Sequence, residues 1–315
     1  MSQTSGAGHD PRPADSIPLR LVDAWLPPRL RPYARLARLD RPIGWWLLLL
    51  PCLWSSGLAS ASAGQMPDLI HFALFFIGAV VMRGAGSTWN DIVDRDLDGS
   101  VERTRNRPIP SGAVSAKQAA LFMGLLLLTG LAILLTFNRT AILIGFASLV
   151  PVVIYPFIKR VSNHPQLVLG LAFAWGGLMG WVAETERLEA PAYLLYAAAI
   201  AWTVGYDTLY ALQDIEDDPS VGIGSTALAY GDKVPAFVAA MYALAIVLAA
   251  GAVWMTAPGF LAVCGLIGFA GHLIWQVRSI RLDDPAHALM LFKSNRDAGL
   301  HLAVGFALEG VYRAF

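Results

Sequence analysis

Nine windows of roughly 20 residues, mostly apolar and nearly free of charge, recur along the chain, and a helix of that length crosses the hydrocarbon core of a bilayer. They fall at 43–63, 68–90, 117–137, 140–158, 166–183, 192–213, 234–255, 258–277 and 298–314. An all-α membrane protein of nine transmembrane helices follows. The composition agrees: 56% hydrophobic side chains, only 15% charged, and a mean hydropathy of +0.54 lie outside the range of ordinary soluble domains. Residues 1–28 form a Pro- and Arg-rich arm expected to be disordered, with no apolar stretch of the kind a cleaved secretory signal needs, and 29–315 form one transmembrane domain.

A formal net charge of zero gives no reason to invoke nucleic acid, and nothing in the chain demands an obligate protein partner; the bilayer is the partner implied. The two cysteines, Cys52 and Cys264, lie inside apolar runs, and the six histidines lack ligand spacing, so neither a disulfide framework nor a zinc site is supported. With the amino terminus inside, every one of the 23 Lys and Arg except Arg83, Arg139, Arg187 and Arg313 falls on the inner side. This is the bias that orients membrane proteins, and it places the amino terminus on the cytoplasmic side. Before the first span, Leu30, Tyr33 and Ala37 recur at helical spacing among arginines, as in a helix lying on an anionic leaflet or in a solvated basic arm.

Two acidic motifs carry the chemistry. The second span ends in Asn90-Asp91-Ile92-Val93-Asp94-Arg95-Asp96-Leu97-Asp98, where helical pitch puts Asn90, Asp94 and Asp98 on one face with Asp91 beside Asp94. Stacked like charges at a helix end whose dipole favours cations call for a bound cation, and Mg²⁺ suits a few carboxylates together with phosphate oxygens and water. The sixth span ends in Gln213-Asp214-Ile215-Glu216-Asp217-Asp218, which repeats that character four spans later. The chain therefore reads as two pseudo-repeated four-helix halves plus a ninth helix, with both motifs on the cytoplasmic side facing one another. Such a pair can hold divalent ions around one diphosphate.

Cationic groups follow the acids: Arg103, Arg105 and Arg107 in the first loop, Lys159 and Arg160 at the end of the fourth span. Arg forks and Lys charges bind phosphate oxygens and assist loss of a diphosphate, although the orientation bias alone would also place them there. Arg83 and Asp207 lie deeper, each seven residues and roughly 10 Å before its motif. Intramembrane charge marks function. Two readings stand: Arg83 pairs with the carboxylate of an aromatic acid, or Arg83 and Asp207 neutralise each other across the bundle.

At these residues the chain resembles the UbiA-type intramembrane prenyltransferases, and within them the bacterial 4-hydroxybenzoate polyprenyltransferases. The strings that carry the resemblance are Arg38-Leu39-Asp40-Arg41-Pro42-Ile43-Gly44, the Asn90-Asp91-x-x-Asp94-x-x-x-Asp98 motif, Arg103 to Gly112, Tyr155-Pro156-x-x-Lys159-Arg160 and Tyr206-Asp207-Thr208-x-Tyr210. The resemblance implies a helical bundle around a central cavity open sideways to lipid, in which Asn90, Asp91, Asp94 and Asp98, with Asp214, Asp217 and Asp218, hold Mg²⁺ and the diphosphate. It implies diphosphate binding by Arg103, Arg107, Lys159 and Arg160, acceptor binding by Arg83 and Arg160, and a catalytic part for Asp94, Asp214 and Asp207.

The implied reaction is prenyl transfer from a polyprenyl diphosphate to 4-hydroxybenzoate, with Mg²⁺ as cofactor, for ubiquinone biosynthesis, and the implied location is a bacterial inner membrane. Trp89, Tyr155 and Trp175 offer ring faces to an allylic cation. Alternatives are a sibling enzyme with another acceptor, and a cation-coupled transporter. A transporter needs midplane sites, and the spans carry no paired Gly/Pro interruptions there.

Overall fold

The computed structural model describes residues 24, 26–100, 104–158, 160–213, 224–256 and 259–315, and every regular element among them is helical. In chain order these are α1 (Arg31–Leu36), α2 (Ile43–Ser62), α3 (Leu69–Val93), α4 (Arg95–Ser100), α5 (Ala116–Leu134), α6 (Arg139–Ala147), α7 (Leu149–Ile158), α8 (Pro165–Phe173), α9 (Gly176–Thr185) and α10 (Ala190–Ala211). After 214–223 come α11 (Thr226–Tyr230), a 3₁₀ turn (Gly231–Lys233), α12 (Val234–Met255), α13 (Phe260–Ser279) and α14 (Pro285–Arg313). By length and composition, seven stretches suffice to cross a membrane: α2, α3, α5, α6 with α7, α8 with α9, α11 with α12, and α13. Helices α10 and α14, of 22 and 29 residues, pack against α2 in the middle of the bundle.

Local chemistry sets where the helices begin. Asp68 caps α3 by accepting from the Ile70 and His71 amides at 2.7 and 3.3 Å, and Ser115 forms a capping box with Gln118 at the head of α5. Asp284 caps α14 through the His287 amide at 2.9 Å, with Pro285 in the first turn, where its missing N–H costs nothing.

Large apolar side chains cover the outside of the bundle, and its mostly apolar interior also holds polar groups. Leu121, Leu128, Val247 and Ile267 are exposed, whereas Asp91, Gln276, Asn295 and Glu309 are buried. Lipid provides no hydrophobic drive between helices, so association rests on close packing and interhelical hydrogen bonds. Gly176 and Gly180 on α9 lie against Cys52 and Ser56 of α2 so closely that a Cβ at either would strike backbone. At the centre, Trp54 and Trp202 meet with ring centroids 4.8 Å apart. Their indole N–H groups donate to the Gly299 carbonyl at 2.7 Å and the Asn295 amide oxygen at 2.8 Å, both on α14.

Three expectations need correction. The last helix starts at Pro285, not near 298, because Asn295 turns inward and finds partners on Trp202 and Gln276, so a polar stretch runs on as helix. The fourth and fifth spans are each broken in mid-course, at Ser148 and at Ala174–Trp175, which the sequence reading did not anticipate. Pro151 lacks the N–H that would bind the Ala147 carbonyl, and this weakens the α6–α7 junction. Finally, α1 is not a helix lying free on a leaflet: Leu36 is fully buried with Val114 and Ala119, and Tyr33 meets Phe122 edge-on at 5.3 Å.

Candidate functional site

The docked α1 delivers Arg38 to the end of α3. Arg38 has φ 54°, a left-handed conformation unfavourable for any residue with a Cβ, and it is buried. Its guanidinium donates to the Asp91 carboxylate at 2.6 Å and to the Arg35 carbonyl at 2.9 Å. Helix α3 stops at Val93, and α4 resumes the acidic motif after Asp94. Arg107, from the following loop, bridges Asp98 at 2.6 Å and Asp91 at 3.4 Å, while Arg160, just past α7, reaches Asp94 at 3.0 Å and the Val93 carbonyl at 3.1 Å.

Three arginines thus meet the charge that the stacked carboxylates create. Of these, Arg107 and Arg160 were anticipated from the sequence; Arg38 was missed as a site residue. Its signal was present, an arginine in a string next to the first span, but only folding brings it to a partner 53 positions away.

Asp91, Asp94 and Asp98 are buried. Burial raises the Asp98 pKa above the ordinary carboxylate value, against the opposing pull of the Arg107 charge and hydrogen bond. Two buried oxygens here, Asn90 Oδ1 and Asp91 Oδ2, have no hydrogen-bond partner. Hard oxygen atoms left unsatisfied beside two more carboxylates fit a divalent cation of the Mg²⁺ type. Among the described residues no group of three or more His, Cys, Asp or Glu closes into a metal cage. The first motif thus supplies part of a ligand set, which phosphate oxygens and water or a second motif must complete. Asp214, Asp217, Asp218, Arg103 and Lys159 lie outside the described residues.

The motif opens onto a cavity of ≈ 920 Å³. Its polar end is lined by Arg38, Arg41, Arg83, Asn90, Asp98, Arg107, Gln166 and Asp207; below them the wall is apolar, from Met82 and Leu131 to Phe75 and Phe137. Asp207, two turns before the second motif, therefore shares one chamber with Asn90 of the first. Gln166 lines the same chamber and accepts from the Thr226 amide at 3.1 Å.

Arg83 donates to Ser87 Oγ at 2.8 Å and stands over the Phe173 ring, 5.4 Å from its centroid, while its Nε has no partner. Among the described residues Arg83 and Asp207 form no direct ion pair, so mutual neutralisation by contact is not how this buried arginine is satisfied. Gly44 leaves the space Arg83 fills, since a Cβ there would overlap its guanidinium. Of the three aromatic residues singled out from the sequence, Tyr155 and Trp175 line the cavity; Trp89 instead donates to the Val153 carbonyl and lies outside it.

A model of the UbiA prenyltransferase family matches residues 48–296. The 4-hydroxybenzoate polyprenyltransferase, mitochondrial, of Aedes aegypti is 45% identical over 287 residues, which is 90% of this chain and 64% of that protein. The apo structure of a UbiA homolog from Aeropyrum pernix K1 superposes with a TM-score of 0.70 at 26% identity, over 84% of this chain and 97% of that one. A UbiA homolog from Archaeoglobus fulgidus bound to GPP and Mg²⁺ shares the fold, with a TM-score of 0.62 at 18% identity over 90% of this chain and 99% of its own.

Proposed function

The chain belongs to the UbiA prenyltransferase family, and from that premise we propose that it transfers a polyprenyl group from an all-trans polyprenyl diphosphate to 4-hydroxybenzoate. The group joins the ring carbon ortho to the hydroxyl, giving 3-polyprenyl-4-hydroxybenzoate for ubiquinone biosynthesis. One observation carries this reading: a single cavity with carboxylates and arginines at one end and a long apolar wall below, as a molecule with a diphosphate head and an isoprenoid tail requires. The name and 45% identity of the Aedes relative support the acceptor.

Asn90, Asp91, Asp94 and Asp98, with Asp214, Asp217 and Asp218, would hold Mg²⁺ beside the diphosphate, as the orphaned oxygens of Asn90 and Asp91 favour. When bound, Mg²⁺ supplies Lewis-acid stabilisation of the negative charge on the departing diphosphate. Arg107 and Arg160, joined by Arg103 and Lys159, add fixed positive charge where that negative charge develops. The C1–oxygen bond of the donor breaks, the ring carbon bonds to C1, and the ring proton leaves to restore aromaticity.

Tyr155 and Trp175 present ring faces to the transient allylic cation, and the apolar wall keeps water from it. Arg83, whose Nε lacks a partner, and Arg160, beside Asp94, are the groups we assign to the acceptor carboxylate. Asp207 completes the catalytic set from α10. Helices α10 and α14 are the two further spans that make nine. The excess of Lys and Arg at the motif end supports an amino terminus and active site on the cytoplasmic side, in our reading that of a bacterial inner membrane.

Purified protein in detergent, given Mg²⁺, labelled 4-hydroxybenzoate and a series of all-trans prenyl diphosphates, should form the 3-prenylated acid by mass analysis and stop when EDTA is added. Prenylation of another acceptor in preference to 4-hydroxybenzoate, or turnover unaffected by EDTA, would overturn the assignment.

A further inference from the structure

Gly78 sits in the interior of α3, where glycine costs about 1 kcal/mol of helix stability relative to alanine. Neither backbone nor packing demands it. Its φ is not positive, and a Cβ built there meets nothing nearer than Ile133 Cγ2 at 4.0 Å. By contrast, Gly84 on the same helix is hemmed in by Ala37 and Leu126 at 3.1 and 3.2 Å. What the missing side chain at Gly78 leaves open is the cavity, whose wall it forms.

One turn further, the cavity ends on Phe75 and Phe137, stacked with centroids 5.2 Å apart at 17° and both buried. This floor is braced from behind. The His71 ring stacks on Phe137 at 5.1 Å, and its Nδ1 lies 2.9 Å from Glu184, which also accepts from Ser56 Oγ at 2.5 Å. The cluster ties α3, α9 and α2 together behind the aromatic pair, so the floor is not free to yield.

We infer that Gly78 and the Phe75–Phe137 floor set the length of prenyl tail that the cavity houses. The inference rests on the proposed prenyl donor, with its diphosphate at Asn90. From Asn90 to Phe75 is about 22 Å along the helix, and to Gly78 about 18 Å, at 1.5 Å per residue. An isoprenoid unit advances roughly 5 Å, from four carbon bonds of about 1.5 Å each. The shaft therefore takes four to five units, roughly, before the floor stops it, and passes Gly78 at the third or fourth. Longer tails leave sideways beside Phe146, which belongs both to the cavity wall and to the exposed surface; its neighbour Gly145 packs on Leu134, one residue past the Ile133 that faces Gly78.

The test compares wild type with Gly78→Phe and Gly78→Ala across donors of two to eight units, measuring kcat/KM for each at saturating Mg²⁺ and 4-hydroxybenzoate. Gly78→Phe should keep donors of two or three units within about threefold of wild type and lower those of six or more at least tenfold; Gly78→Ala should keep the wild-type profile. A loss equal at every length would mean a merely structural role, and no loss at any length would mean the tail leaves above Gly78. Either result sinks the inference while product formation by wild type upholds the functional reading. Absence of product with every donor would overturn both. Should Gly78→Phe fail to fold, Gly78→Leu gives the same short-to-long ratio with a smaller side chain.

Discussion

Replacing Arg38 by Met should destabilise the protein by about 3 kcal/mol, the lower part of the range for breaking a buried ion pair. The pair is short, 2.6 Å, and closed to solvent, with side-chain exposures of 8% and 0%. At an effective dielectric of 20 its attraction is roughly 6 kcal/mol, much of which offsets the desolvation of both ions. Loss of Arg38 leaves Asp91 buried with Arg107 at 3.4 Å as its remaining ion-pair partner, which moderates the cost. The backbone provides an internal control. At φ 54° a residue with a Cβ is strained by roughly 1–2 kcal/mol, so Arg38→Gly, which also removes the charge, should be less destabilising than Arg38→Met by about 1 kcal/mol. The assay is SDS titration in mixed micelles followed by helical circular dichroism, run as a double-mutant cycle with Asp91→Asn. A coupling of about 2 kcal/mol or more between the two positions is expected. A cost below about 1 kcal/mol for Arg38→Met, with additive effects in the double variant, would refute the ion-pair reasoning.

Asp94→Ala should lower kcat by about a hundredfold or more and shift the Mg²⁺ dependence, since it removes a group that stabilises leaving charge; steady-state kinetics over a Mg²⁺ series checks this. Arg83→Lys should raise KM for 4-hydroxybenzoate and spare KM for the prenyl donor, because an ammonium cannot replace a fork that binds Ser87 and a carboxylate together; equal effects on both substrates would reject the acceptor role. Asp98 has a folded-state pKa raised by burial, so its contribution to stability is fully present below the ordinary carboxylate value and is lost as pH rises through the raised value. Asp98→Asn should therefore be more favourable relative to wild type at neutral pH than in acid, in SDS titrations at a series of pH values. Protonation of Asp98 also competes with a cation, so the apparent KM for Mg²⁺ should climb as pH falls, and less steeply in Asp98→Asn.

The apolar spans were legible because a bilayer imposes one length on every helix, and capping residues such as Asp68 and Ser115 mark where two of them begin. The acidic motif on α3 was legible too, since no packing rule puts that many carboxylates at a helix end. Hidden were contacts between distant parts of the chain. Nothing local announces that Arg38 reaches Asp91, or that Asn295 finds Trp202 and so lets a polar stretch continue as helix. The breaks at Ser148 and Ala174 were also hidden: Pro151 hinted at the first, but tertiary packing decides whether such a residue bends a helix or ends it. Gly78 looked like any other small residue until its surroundings were found to be empty.

The central claim is that one diphosphate is gripped by both acidic motifs across the cavity. It is tested most directly with Mn²⁺ in place of Mg²⁺ and a non-hydrolysable prenyl diphosphate analogue, by ³¹P electron–nuclear double resonance. The claim requires phosphorus couplings of directly ligated phosphate, lost when either Asp94→Ala or Asp214→Ala is introduced. Couplings that survive intact in one of the two variants would contradict it, for a single motif would then hold the head group by itself.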